Sequence, residues 1–315
     1  MISRQPYLQA VTSESILIIW DTPVATQTWI EYGTTSALGL IAGEEDPVIH
    51  HAVLLNELEP STRYFYRVQG HEINTFRTAP FSGQSNFSFA AIGDTRTDQV
   101  NHGKVIELMA MTSPDFYLHV GDMVEDGSNL MDWTSFFQIE APVLKNSPLY
   151  PTLGNHDLNT DNGQAYFDYF SLPGNERYYE FTAGPVHFFA INSDWREPDG
   201  IGASSAQAEW LRQGLAASTL PWQIVYFHVA PYSSGYYGSE PALQWPFAEW
   251  GADAVLTGHE HHYERLLVDG LVYFINGLGG GARYPLSEQP LPETKSRFRD
   301  DHGAMLVEAT ADSLS

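Results

Sequence analysis

Near the C-terminal end, Gly258-His259-Glu260-His261-His262-Tyr263-Glu264-Arg265 follows the apolar run Ala252-Asp253-Ala254-Val255-Leu256-Thr257. This is the pattern of a buried strand that ends in a loop carrying two histidines. In extended backbone, side chains at i and i+2 fall on the same side. His259 and His261 are therefore predicted to sit together at a strand tip, where two imidazoles can hold a metal ion. Similar exits occur upstream. Phe87–Ile92 ends in Gly93-Asp94-Thr95-Arg96, Phe116–Val120 in Gly121-Asp122, Leu149–Leu153 in Gly154-Asn155-His156-Asp157, and Ile224–Phe227 in His228. All but the last place a glycine before the key residue, which allows a tight turn close to a ligand. One Gly-Asp is an ordinary turn, and a lone strand-end histidine is more often structural than ligating. Five such exits in one region form a constellation, and it points to a hydrolytic metal centre.

The composition narrows the chemistry. The chain has no cysteine, so disulfides and thiolate ligands are excluded and any metal must use nitrogen and oxygen donors. Carboxylates bridge cations, imidazole suits Zn, Fe and Mn, and an asparagine oxygen ligates without adding charge. A formal net charge of -24 argues against a nucleic-acid surface, because phosphate backbones require basic patches. It also repels anionic membranes. An anionic substrate needs a local positive centre, which bound cations supply. No apolar stretch is long enough for a transmembrane segment. The start, Met1–Pro6, lacks the apolar core of a signal peptide, so the chain is expected to be cytoplasmic or to begin after a removed leader.

With 315 residues and 43% hydrophobic content, the chain can build two domains with separate cores. Residues 1–80 read as all-β, with short β-rich runs at Ile16–Trp20, Thr28–Tyr32, Ala52–Leu55 and Tyr64–Val68 divided by Pro23, Gly33, Gly39, Gly43 and Pro60. Leu58–Tyr64 has the form of a tyrosine corner, in which a hydroxyl ties down a crossover. His50, His51 and His71 are expected to be surface or packing residues. Thr78–Asn86 reads as a linker. Beyond it, apolar strands are predicted at 87–92, 116–120, 148–153, 186–191, 222–227, 252–257, 271–275 and 304–308. Helices are predicted at 103–112 and 204–217, the second opened by Ser204 and Gln207 as a capping box. Strands alternating with helices imply a layered domain whose ligands gather at strand C-terminal ends. His119 and His187 are expected in the core, His102 on the surface of a helix, and Tyr263 and Arg265 as braces for the histidine loop.

These blocks resemble the metallophosphoesterase (calcineurin-like) superfamily, and Gly258–Arg265 with the preceding β segment looks most like its purple acid phosphatase branch. The resemblance implies an α+β fold: a four-layer αββα sandwich over 87–315, preceded by a fibronectin type III-like sandwich over 1–80. It implies two adjacent divalent or trivalent ions (Fe, Mn or Zn). Asp122 would bridge them, Asp94 and His261 would belong to the first, and Asn155, His228 and His259 to the second. His156 would act on the substrate as proton donor or transition-state stabiliser, oriented by Asp157. The implied activity is acid phosphatase-like, with a metal-bound hydroxide attacking phosphate monoesters; diesters or nucleotides are the alternative substrates. A binding protein with a decayed phosphatase domain is a further reading, against which the intact ligand set argues. The family's habit implies a secreted or periplasmic location.

Two positions depart from the resemblance. Purple acid phosphatases carry a tyrosine three residues after the bridging Asp, where this chain has Glu125. Many relatives have Asp-x-His in the first block, where this chain has Arg96. A looser first site and a protein that is not purple are expected. Arg96 could reach a substrate phosphate through its fork of donors or lock the loop by a salt bridge. Tyr236 and Tyr237 could contact substrate or simply form a rim.

Overall fold

The computed structural model describes residues 2–83 and 86–315. In its N-terminal part, β-branched and aromatic runs form β1 (Arg4–Gln9), β2 (Ile16–Gly33), β3 (Leu40–Leu55), β4 (Arg63–Val68) and β5 (Asn74–Arg77), all paired antiparallel. The runs expected as separate strands before and after Pro23 are one strand. Pairing with β3 slips between Asp21 and Thr26, and this irregularity takes in Pro23, which cannot donate to a ladder. Ile18, Trp20, Ile30, Tyr66 and Phe76 are buried beneath the sheet. The tyrosine corner forms as expected: the Glu59 backbone N–H donates to the Tyr64 hydroxyl at 2.9 Å. His51 is a packing residue, stacked on Trp20 at 4.8 Å and bonded to Thr22 and Thr28. Of the expected linker, Gln84 and Ser85 lie outside the described residues.

The chain continues through β6 (Phe87–Ile92), α1 (Gln99–Thr112), β7 (Phe116–His119), α2 (Leu130–Leu144), β8 (Leu149–Pro151), α3 (Gln164–Tyr169), β9 (Tyr179–Ala183), β10 (Val186–Ala190), α4 (Ala206–Ala217), β11 (Trp222–Val229), α5 (Phe247–Trp250), β12 (Ala254–Gly258), β13 (Tyr263–Val268), β14 (Leu271–Asn276), β15 (Thr294–Phe298) and β16 (Met305–Ala309). Two sheets result, in the orders β16-β6-β7-β8 and β15-β13-β14-β12-β11-β10-β9. Neighbours β6-β7-β8 and β10-β11-β12-β14 are parallel, which requires crossover connections. Strand periodicity sorts the residues into layers. Phe188, Ala190, Ile224, Tyr226, Ala254 and Leu256 join the core shared with the other sheet. Their neighbours Phe189, Val225, Phe227 and Val255 pack with Ala208, Leu211 and Leu215 of α4. Val105, Ile106 and Met109 of α1 and Phe136 and Val143 of α2 join the shared core from the far side of the small sheet. The result is the expected four-layer αββα arrangement.

The strands β9, β13 and β15 were not foreseen. They are short and antiparallel, and β13 and β15 carry many polar residues. The helix expected from Ser204 starts one residue later, with Ser205 as N-cap accepting from the Ala208 N–H at 3.1 Å. Gln207 is buried and bonds the Asn192 backbone instead of closing a capping box. Among the described residues no helix is long and apolar enough to cross a membrane.

Tyrosine hydroxyls fasten the N-terminal sheet to the rest. Tyr7 donates to the Tyr169 carbonyl (2.9 Å), Tyr66 to Lys145 (2.7 Å), and Tyr150 back to Val11 (2.9 Å). A single apolar core runs through both parts. Within the sheet, Tyr64→Phe would strand the Glu59 N–H and is expected to cost about 1 kcal/mol. It should appear as a lower urea midpoint at unchanged slope; an unaltered midpoint would show that the corner bears no load.

Candidate metal centre

The expected residues converge at the C-terminal ends of β6, β7, β8, β11 and β12. The backbone there is strained. Asp94 (φ 57°), Asp122 (φ 56°) and His259 (φ 66°) are all left-handed, a conformation that costs a non-glycine residue about 1–3 kcal/mol and persists only where its surroundings enforce it. The extended geometry predicted for His259 and His261 is therefore corrected: a sharp turn at His259, not strand periodicity, sets their directions. The preceding glycines matter through close approach. A Cβ on Gly258 would lie 2.5 Å from Asp94 Oδ2, the oxygen that accepts the His259 backbone N–H at 2.9 Å. His228 lies inside β11, where pairing with β12 slips between Tyr226 and Val229.

Carbonyl partners fix which nitrogens are free. His228 Nδ1 lies 2.8 Å from the Val120 carbonyl. A carbonyl only accepts, so Nδ1 carries the proton and Nε2 presents its lone pair. That Nε2 faces Asn155 Oδ1 at 3.2 Å, His259 Nδ1 at 3.2 Å and Asp122 Oδ1 at 3.3 Å. Donor atoms of Asp122, His228 and His259 all lie within 4.8 Å of one another. His261 repeats the device: Nδ1 donates to the Ala282 carbonyl at 2.6 Å, and Nε2 faces Asp94 Oδ1 at 3.2 Å. Both of these facing atoms are buried and without a hydrogen-bond partner. Buried acceptors aimed at one another cannot satisfy each other, and orphaned groups of this kind are costly. A cation satisfies such groups: the donor atoms of Asp122, His228 and His259 fit a metal ion, and the Asp94–His261 pair is a second set of buried, unsatisfied acceptors.

The electrostatics agree. Burial opposes a charged imidazole at His228, yet the Asp122 carboxylate prevails and lifts its pKa to about 9. Burial, followed by the nearby His228, presses His259 down to about 4, which keeps it neutral. A proton on His228 is the smallest cation that relieves this cluster; a metal ion would engage every donor at once.

His156 lies beside the Asp122 carboxylate, its backbone N–H donating to Oδ1 at 2.9 Å, and its Nδ1 donates to the Glu125 carbonyl at 2.7 Å. The role expected for Asp157 is corrected here. Its buried carboxylate accepts the backbone N–H groups of Asp122, Met123, Val124 and Gly154. With its carboxylate taken up by these donors, Asp157 holds the Asp122 turn, and the Glu125 carbonyl orients the His156 ring. Arg96 donates from Nε to Asp122 Oδ2 (2.9 Å) and from Nη1 to Glu125 Oε2 (2.8 Å), and Nη2 lies 3.4 Å from the Tyr284 hydroxyl. Glu125 is thus engaged by Arg96. His102 is buried, not superficial: it meets Glu140 at 2.7 Å, which also accepts the Tyr117 hydroxyl at 2.9 Å.

Several contributors were missed. Glu260 is buried between the two ligand histidines and accepts the backbone N–H groups of Tyr236, Tyr237 and Gly238. Glu264, also buried, accepts from the Ser234 N–H and pairs with His262. These acids brace the loop in place of Tyr263 and Arg265. Their signal was an acid inside a buried run, which must recruit donors. Tyr284 stacks on His261 at 4.0 Å, and Arg196 bonds the Asn155 carbonyl at 3.0 Å. Neither had a motif. Gly258→Ala should push aside the Asp94 carboxylate and lower the metal content by about one ion per chain at unchanged circular dichroism. Full metal content in this variant would remove the steric argument.

Comparison with known proteins agrees with this geometry. The calcineurin-like phosphoesterase model matches residues 87–263, and the purple acid phosphatase N-terminal domain model matches residues 4–89. Purple acid phosphatase 15 of Arabidopsis thaliana is 29% identical over 74% of this chain and 54% of its own length. An uncharacterized protein of Mycobacterium tuberculosis is 28% identical over 69% of this chain and 50% of its own. The chain spans about half the length of these curated relatives. The solved structure of a purple acid phosphatase from yellow lupin (Lupinus luteus) seeds shares the fold, with a TM-score of 0.81 at 18% identity over 96% of this chain and 69% of that one. The chain belongs to the calcineurin-like phosphoesterase family, with a purple acid phosphatase N-terminal domain ahead of the phosphoesterase domain.

Proposed function

We propose that this chain hydrolyses phosphate monoesters at a two-ion centre, with residues 1–80 as the N-terminal domain and 87–315 as the catalytic domain. The observation that supports this reading is a pair of buried acceptor clusters, Asp122 with His228 and His259 in one and Asp94 with His261 in the other, with Asp94 Oδ1 and His261 Nε2 left without partners. Asp94, Asp122 and His261 would hold the first ion; Asp122, Asn155, His228 and His259 would hold the second. Bound Fe, Mn or Zn would supply Lewis acidity there, making a water acidic near neutral pH and drawing charge from phosphoryl oxygens.

The chain's own groups do the rest. With Nδ1–H committed to the Glu125 carbonyl, only Nε2 of His156 can take up and deliver a proton, and the leaving-group oxygen is its target. Arg96 is fixed by Asp122 and Glu125, so its remaining guanidinium face is preorganised to receive a phosphoryl oxygen. Because Glu125 offsets the guanidinium charge, the positive centre that attracts a dianionic monoester would come from the ions. Asp157 keeps the Asp122 turn in place without touching substrate.

Elemental analysis of the purified protein, followed by chelation and return of Mn, Fe or Zn, tests the centre: activity on 4-nitrophenyl phosphate should vanish and then recover. His259→Ala should lower the metal content by about one ion per chain and abolish activity together. His156→Ala should keep its metal and lose about 100-fold or more on an alkyl phosphate, with a smaller loss on 4-nitrophenyl phosphate, because poor leaving groups depend most on protonation. Equal losses on both would rule out the acid role. A higher rate on bis(4-nitrophenyl) phosphate than on the monoester would reassign the substrate.

A further inference from the structure

Above the two ligand histidines lies an aromatic surface that the metal chemistry does not use. Tyr237 stacks on His259 with ring centroids 4.6 Å apart, and Tyr284 stacks on His261 at 4.0 Å. Tyr236 completes the group, 5.0 Å from Tyr237 and 5.6 Å from Tyr284. Tyr237 and Tyr284 could be explained as packing that orients imidazoles. Tyr236 cannot: it stacks on neither histidine and is 63% exposed. An exposed ring of this size gains little from folding.

The backbone beneath these rings is unusually well held. The N–H groups of Tyr236, Tyr237 and Gly238 all donate to Glu260, at 2.9, 2.8 and 2.8 Å. The Ser233 hydroxyl donates to the same carboxylate, and the Gly235 N–H donates to that hydroxyl. A fully buried carboxylate is costly unless donors surround it, and here the donors are the tyrosine loop itself. Because Glu260 sits between His259 and His261 in the chain, the backbone that carries Tyr236 and Tyr237 is tied to the histidine segment. Across the site, the exposed Trp195 stands on the loop that Arg196 fastens to the Asn155 carbonyl at 3.0 Å.

We infer that Tyr236, Tyr237 and Tyr284 form a stacking platform for the leaving group, selecting phosphate monoesters that carry a flat aromatic ring. This rests on the phosphoesterase reading above and names its substrate class. Rings stack readily on aromatic side chains irrespective of identity. Either a nucleobase on a sugar phosphate or an aryl ring bonded directly to the ester oxygen supplies that chemistry. The phosphate would be held at the ions while the ring lies against the tyrosines, so that binding energy from the remote ring orients the ester.

The test compares kcat/KM of the metal-loaded wild type, Tyr236→Ala and Tyr236→Phe on adenosine 5′-monophosphate, O-phosphotyrosine and ringless glycerol 2-phosphate. In Tyr236→Ala the ratio of either ring-bearing ester to glycerol 2-phosphate should fall about tenfold, equivalent to ~1.4 kcal/mol, with KM carrying the change. Tyr236→Phe should restore the ratio. A fall for the nucleotide alone identifies a nucleobase as the ring; a fall for both identifies any aromatic leaving group. Unchanged ratios in Tyr236→Ala, or an equal fall in Tyr236→Phe, would overturn the platform. If the wild type hydrolyses none of the esters, the phosphoesterase reading fails separately. Calorimetric binding of adenosine 5′-monophosphate to wild type and Tyr236→Ala then still decides the platform: about tenfold weaker binding to the variant supports it, and equal binding overturns it.

Discussion

One buried carboxylate holds the site in register. Asp157 accepts four backbone N–H groups, three from the turn after β7 and one from Gly154 after β8. Those bonds clamp two strand exits together and keep Asp122 in its left-handed conformation. Asn155 and His156 leave from the same clamped segment, and the Glu125 carbonyl that orients His156 ends the other. Local strain of a few kcal/mol survives only where the surroundings overdetermine the backbone, and Asp157 provides much of that constraint. A single acid thereby sets the geometry of Asp122, Asn155 and His156 together.

Much of this was legible in the chain. Strands stood out because buried parallel strands read as continuous apolar runs, and their exits stood out because all but the one at His228 pair a glycine with a residue able to ligate a metal. From the residues only a layered domain could be read; the four-layer αββα order came from the family resemblance, and the structure shows it in the alternation along β10, β11 and β12. What escaped detection depends on partners distant in sequence. His102 sits in an ordinary helical setting, and nothing local reveals Glu140 38 residues away. Asp157 follows His156 directly, which suggested a pair; only the fold shows four N–H groups competing for the carboxylate. The strand β13 and its edge neighbour β15 carry polar residues and lack a strand signature of their own. The i, i+2 argument for His259 and His261 failed because a left-handed turn is a tertiary demand, invisible to periodicity.

The N-terminal sheet is more than a spacer. Buried tyrosine hydroxyls cross between it and the catalytic layers in both directions, and each satisfies a backbone carbonyl that would otherwise be stranded. Exchange of hydrogen bonds in both directions, over a shared apolar core, makes hinge motion between the two parts expensive. The strand exits that build the centre therefore rest on a stiff support.

Glu260 gives this support an unforeseen reach. It belongs to the segment that carries His259 and His261, yet its carboxylate grips the loop of Tyr236 and Tyr237. The backbone of that loop is thus tied to the histidine segment. A family member built this way cannot widen or tilt its entrance without also displacing an imidazole, so a change of preference must come from replacing rings in place. Swapping side chains at three positions would then retune selectivity, whereas remodelling the loop would damage the reaction centre itself.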